Sequence, residues 1–362
     1  MKLLKKPGLR SIALGVAALL VMPMTLNAQD FSGKTVEWTV PFGVGGGTDV
    51  WARFFAPQLA ETLPGKPTVV VLNVPGGGSI TGANQFYQRA SHDGLAILGT
   101  SASTQYPAIL GDRRVRYDYT DWTAVLASPT GGVVYIDPKY GVTGPQDIEK
   151  LRSQQIRFAS QGATALEMPV LLGFKMMGLN IKPVFGMKSR GEGRLAFERG
   201  EAGIDFQTSS AYLSSVKPLV DGGKAVPLFS LGVVNADGVV GRDPSFPDLP
   251  TFVEFYEQAT GAKPEGDAFE AWKALMLAGY SLQKMVVLPK DAPADVIAAY
   301  GDAAKAIVEA PDFRKRAGDE LGNYEQLVGP EADAALKEAL TLDPGVRDFL
   351  TNWLSEDYNV RM

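Results

Sequence analysis

From Thr35 onward the chain alternates short apolar runs with longer segments in which apolar residues recur every three or four positions. "TVEWTV" (35–40) reads as a strand, and Asp49 to Leu63 reads as a helix with Val50, Phe54, Leu59 and Leu63 on one side, ended by Pro64-Gly65. "TVVVLNV" (68–74) reads as a buried strand, "PGGGS" turns into a helix from about Ser79 to Ala90, and "LAILG" (95–99) is a third strand. This βαβαβ order predicts a parallel sheet whose loops gather at the carboxyl ends of its strands. A second set of strands is predicted at 132–136, 156–160, 182–185, 203–207 and 226–231. Helices are expected between them at 145–152, 164–178, 189–199 and 209–220. After a loop rich in Gly, Asp and Pro, one strand (283–288) and several amphipathic helices complete the chain. A segment with a single strand does not easily build its own sheet. The chain is therefore expected to cross between two α/β domains twice, near 128 and near 232, with 29–128 plus 232–362 in one domain and 129–231 in the other.

Composition changes this picture at the ends. Lys2, Lys5, Lys6 and Arg10 precede an apolar stretch, Ser11 to Met22, that is too short to span a bilayer comfortably, and Ala28 supplies a small residue before a cut. Residues 1–28 thus read as a secretory signal peptide, and the mature protein is expected in the periplasm. The sequence holds no cysteine, which excludes disulfides, thiolate metal sites and a cysteine nucleophile. A net charge of −5, more negative once the basic signal is removed, argues against a nucleic-acid partner. The single histidine, His92, sits beside Asp93-Gly94 and reads as a solvated turn residue. One histidine supports neither a Ser/His/Asp triad built elsewhere nor a histidine-rich metal site, and no cofactor or metal is expected.

The candidate chemistry lies in three loops: Gly43 to Thr48, Gly76 to Thr81 and Thr100 to Ser103. Free backbone N–H groups at such turns, aided by the dipole of a following helix, make an anion site. Thr48, Ser79, Thr81, Thr100 and Ser101 add hydroxyls at the same rim. The alternative is that the glycines only permit tight strand-to-helix turns. A nucleotide fits poorly, because "GVGGGT" lacks the lysine of a P-loop and position 48, where a Rossmann motif has its third glycine, is Thr48. A carboxylate is the better anion. Asp49 reads as a residue holding loop amides and complementing the helix dipole. Trp51, Phe54 and Phe55 have core spacing, whereas Phe42, Phe185 and Tyr106 are candidates to wall an apolar ligand body.

These loops resemble those of the Bug-type substrate-binding proteins of tripartite tricarboxylate transporters. Pro41, Phe42, Gly45, Gly46 and Asp49 match the first-loop pattern, P-F-x-x-G-G-x-x-D. Asn73, Pro75, Gly76, Gly77, Gly78 and Gly82 match the second, Asp93, Gly94 and Leu98 a third, and "DLPTFVE" (248–254) a fourth. The resemblance implies a type II periplasmic binding fold of two α/β lobes that close on a ligand, and a binding protein rather than an enzyme. It implies a carboxylate cradle of Gly43, Val44, Gly47, Thr48, Gly78 and Ser79, with Thr100 or Ser101 at its edge. It also implies a second-lobe contribution from Gln161, Gly162, Ala163, Thr164 and Thr208. The implied partners are a small organic carboxylate and the membrane components of such a transporter, with the binding protein acting as a monomer. "FGMKSR" (185–190) departs from the family pattern, which leaves Lys188 or Arg190 as candidates for a second carboxylate or as a solvated basic pair. A secreted hydrolase or isomerase using the same cleft, and a sensor feeding a membrane kinase, are the alternative functions.

Overall fold

The computed structural model describes residues 29–235 and 238–362. The expected signal peptide lies outside them. The chain begins β1 (Thr35–Val40), α1 (Gly47–Thr62), β2 (Thr68–Asn73), α2 (Ile80–Arg89), β3 (Ala96–Ser101), α3 (Ala102–Leu110) and β4 (Trp122–Ser128). It continues through β5 (Gly132–Ile136), α4 (Ile148–Ser153), β6 (Ile156–Ser160), α5 (Met168–Met176) and β7 (Ile181–Phe185). Then come α6 (Arg190–Glu198), β8 (Ile204–Thr208), α7 (Ser209–Ala211), α8 (Lys217–Asp221) and β9 (Val226–Ser230). A small hairpin, β10 (Val233–Val234) and β11 (Val240–Gly241), leads to α9 (Phe252–Thr260), α10 (Asp267–Gly279) and β12 (Lys284–Pro289). The chain ends with α11 (Ala294–Val308), α12 (Phe313–Glu320), β13 (Leu327–Val328), α13 (Pro330–Ala339) and α14 (Pro344–Tyr358).

Two sheets organise these elements. The first has the order β13-β4-β12-β3-β1-β2, and the second β7-β6-β8-β5-β9. β1 pairs in parallel with β2 and β3, as the βαβαβ pattern predicts, whereas β12 runs antiparallel between β3 and β4. The second sheet is also mixed: β6 is parallel to β7 and β8, and β5 is antiparallel to β8 and β9. The chain passes from the first sheet to the second between Ser128 and Gly132 and leaves the second after Ser230.

Three local readings are corrected. "TVVVLN" is not a buried strand. β2 lies at the sheet edge, with Val70 and Leu72 each 38% exposed, because no further strand among the described residues pairs along its outer flank. Thr100 and Ser101 are not loop residues. They end β3, and the Ser101 hydroxyl accepts from the Ser103 amide to cap α3. Tyr106 is fully buried and donates to the Leu275 carbonyl at 2.6 Å, so it anchors α10 rather than walling a cleft.

The segment after 232 divides between the lobes. β12, α11 and α12 share a core with Trp38, Trp51 and Phe55 of the first lobe. α9, α10 and α14 join the core of the second sheet, where Phe252, Trp272 and Leu354 meet Phe158, Phe174 and Phe229. Aromatic contacts explain the docking of α9 and α10. Phe229 lies 5.8 Å from Phe252, which lies 4.8 Å from Trp272, so a chain of rings runs from β9 outward.

Candidate functional site

The first glycine loop ends at α1, whose N-cap is Gly46 with no side-chain cap. Asp49 stands in instead. Its carboxylate, 2% exposed, accepts from the Gly45 amide at 2.9 Å and from Asn73 and Arg53. An acid in the first turn complements the helix dipole and fixes the loop, as the sequence suggested. In the second loop, Gly76, Gly77 and Gly78 all have positive φ, and Ser79 follows at φ 105°. Such backbone is costly for residues with a Cβ, and the run turns the Gly77 and Gly78 amides away from any intramolecular acceptor among the described residues.

The lobes meet directly at these loops. The Gly43 amide donates to the Lys188 carbonyl at 2.9 Å, and the Leu166 amide donates to the Ser103 hydroxyl at 2.8 Å. A Cβ on Gly47 would come closer than 3.0 Å to the Thr208 hydroxyl, so glycine is required there by the approach of the opposite lobe. Between the lobes lies an inner space of about 10 Å³, room for the centre of about one water. Of the residues proposed from sequence, Phe42, Gly47, Thr48, Gln161, Arg190 and Thr208 line it. Its lining includes three buried polar atoms with no partner: the Thr208 hydroxyl and the side-chain amide oxygens of Gln161 and Gln283. Orphaned buried polar groups are uncommon, and three around one space mark a site built for a polar guest.

A wider outer chamber of about 600 Å³ opens from the same cleft. Gly78, Gly162, Ala163, Thr164 and Phe185 line it, and Gln161 lines both spaces. Gly43 serves the lobe contact instead. Val44 is 70% exposed, and Val44, Ser79, Thr100 and Ser101 line neither space.

Arg190 has a different role from the one its sequence position suggested. Its side chain is 2% exposed and every N–H is committed: to Glu167 at 2.8 Å, to Asp205, and to the carbonyls of Ala159 and Phe206. No donor is left for a ligand. Glu167 also accepts from the Gln161 amide at 2.9 Å, so this ion cluster holds the second-lobe loop that carries Gln161. Sequence reading offered Lys188, which lines the outer chamber, but missed Gln283, the polar residue ahead of the apolar "KMVVLP" strand, and the chamber's Arg113, Arg114 and C-terminal residues. Lys284, next to Gln283, is buried with no acid partner among the described residues, and burial pushes its ammonium down to about 7. Among the described residues, no group of three or more His, Asp or Glu is placed to hold a metal. His92 is half-exposed beside Asp291.

Two α/β sheets joined by crossing segments, with polar loops facing one another across a cleft, define a two-lobed periplasmic-binding-protein fold. The structure "periplasmic binding protein BugD" matches with a TM-score of 0.65 and 21% identity over 90% of this chain and 98% of that one. MatC from Rhodopseudomonas palustris, with bound malate, matches with a TM-score of 0.62 and 20% identity over 88% and 97%. No family model matches the sequence. A curated relative, a UPF0065 protein of Bordetella pertussis (strain Tohama I), is 29% identical over 260 residues, covering 70% of this chain and 75% of the relative. The resemblance drawn from the loops agrees with these findings: the chain is similar in sequence to a UPF0065 protein and shares the fold of a Bug protein and of other periplasmic binding proteins.

Proposed function

We propose that the protein captures a small organic carboxylate between its lobes in the periplasm and hands it to the membrane components of a tripartite tricarboxylate transporter. Residues 1–28 would be its cleaved export signal. The first lobe would comprise 29–128 with β12 to α13, and the second 129–231 with α9, α10 and α14. The carrying observation is the inner space itself, where Thr48 and the α1 N-terminus of one lobe face the unpartnered Thr208 hydroxyl and the Gln161 side chain of the other. A helix N-terminus and hydroxyls suit a carboxylate, which needs several donors and no covalent chemistry. The malate in the structurally similar MatC is a carboxylate of this class. The inner space is too small for such an acid as the lobes stand, so binding requires them to part and re-close around it. The test is thermal unfolding of the mature protein with a panel of mono-, di- and tricarboxylates, followed by recovery of the acid. A raised melting temperature with the acid unchanged supports the proposal. No shift with any acid, or conversion of the acid, contradicts it.

A further inference from the structure

A further junction between the lobes is built around a carboxylate that neither the cradle nor the core uses. Asp243, fully buried, accepts from the Tyr324 hydroxyl at 2.7 and 2.8 Å and from the Ser245 amide at 2.8 Å. The hydroxyls of Tyr324 and Ser209 lie 2.7 Å apart. The two sides belong to different lobes. Phe246, in the loop of Asp243, packs with Tyr135 and Tyr212 in the second-lobe core. Leu321, in the segment of Tyr324, packs in the first-lobe core, and β13 pairs with β4. The Asn323 amide adds a bond to the Ser245 hydroxyl at 2.8 Å. Gly131, in the first crossing segment, passes so close that a Cβ there would overlap the Asp243 carboxylate. Ser209 directly follows Thr208, whose hydroxyl faces the inner space, so the junction also fixes one corner of the site.

A carboxylate buried without a cation is costly. Tyr324 is the titratable group that faces Asp243, and no described cation pairs with it. The charged neighbours are committed elsewhere: Arg242 to Glu254, Glu325 to Arg314, and Asp205 to Arg190. Burial pushes the Asp243 carboxyl up from its ordinary value, and the hydrogen bonds from Tyr324 and Ser245 offset this only in part. Parting of the lobes draws Tyr324 and Asn323 away and lets water reach the carboxylate, which relieves the penalty on its charge. The closed arrangement thus holds the proton more tightly than the open one, and closure is favoured as pH falls through the range between their two values.

We propose that Ser209, Tyr324 and Asp243 form a clasp across the lobes, and that closing it is coupled to uptake of a proton by Asp243. In the neutral form the Asp243 carboxyl donates to the Tyr324 oxygen and Tyr324 donates to Ser209, so the chain of bonds is complete and leaves no charge buried there. In the ionised form Tyr324 turns its one proton to Asp243. The clasp rests on the parting of the lobes proposed above and not on which acid is carried.

Single-molecule energy transfer on the ligand-free mature protein tests it. The chain has no cysteine, so Gln85→Cys on α2 and Lys182→Cys on β7, both exposed, place one dye on each lobe. Closed and open populations should appear. Their closed-to-open ratio should rise as pH is lowered from about 8 to about 5, by up to about ten-fold per pH unit, the limit for one coupled proton. Asp243→Asn should hold the ratio constant over that range. Tyr324→Phe, which cuts the link to Ser209, should lower the ratio at every pH. A ratio that ignores pH in the wild-type background, a pH response that persists in Asp243→Asn, or a Tyr324→Phe ratio equal to the wild type would overturn the clasp and leave the carboxylate reading standing. One fixed population in all three proteins would overturn the parting of the lobes as well. If Asp243→Asn does not keep the wild-type melting curve, the wild-type pH series and Tyr324→Phe carry the test, with the same outcomes.

Discussion

Gly47 offers a quantitative test of how the lobes meet. Alanine at this position places a methyl group closer than 3.0 Å to the Thr208 hydroxyl, while the Thr208 Cβ stays at 3.5 Å and the Ser210 hydroxyl at 3.3 Å. The clash is therefore with one oxygen atom. Relieving it by moving the lobes apart strains two contacts that join them, Gly43 N–H to Lys188 and Leu166 N–H to Ser103. Two neutral hydrogen bonds are together worth about 1–3 kcal/mol, so Gly47→Ala should weaken binding of any acid the wild type binds by roughly 5- to 150-fold. Thr208→Ala removes the offending oxygen and leaves only a close 3.3 Å approach to the Ser210 hydroxyl, which a small side-chain rotation relieves. In that background Gly47→Ala should cost little, whatever Thr208→Ala costs alone. Calorimetric affinities for the four proteins of this double-mutant cycle give the coupling directly. Additive losses, or no loss from Gly47→Ala in the wild type, would refute the claimed closure contact.

Three further outcomes are expected. Thr48→Val keeps the side-chain shape in the inner space but removes a donor to a charged acceptor, so affinity should fall roughly ten- to hundred-fold while urea unfolding is unchanged; wild-type affinity would place the anion elsewhere. Arg190→Met leaves Glu167 and Asp205 buried without their cation, which should cost about 3–5 kcal/mol in urea unfolding; a loss below about 1 kcal/mol would contradict the ion cluster. Lys284, pushed down to about 7 by burial, regains its ordinary value of about 10.4 on unfolding. The unfolded chain therefore binds more protons between those values, and stability should rise with pH from about 7 to about 10.4. Lys284→Met should lose that rise in pH-dependent urea midpoints, and identical pH profiles for the two proteins would contradict it.

The parts of this structure legible in the sequence are those set by local pattern. The apolar spacing of β1, α1 and β3, the acid in the first turn of α1 and the glycine loops all express themselves within a few residues. What escaped depends on long-range placement. β4 mixes Thr and Ser with its apolar residues, so "WTAVLAS" carries no clear period, yet the antiparallel β12 buries it. α3 is masked by Ser103, Thr104 and Pro107, and is held by its capping box. Arg190 reads as surface charge because its acids stand far off in sequence, Glu167 ahead of α5 and Asp205 on β8. The C-terminal segment reaches the outer chamber only because α14 docks on the second lobe.

Mass spectrometry of the small molecule released on denaturing freshly purified mature protein tests the central claim most directly. The account predicts an organic acid bearing at least one carboxylate, in up to one copy per chain, and the same mass after prolonged incubation with the native protein. A neutral or cationic molecule in that stoichiometry, or an acid that the native protein converts to another compound, would contradict it.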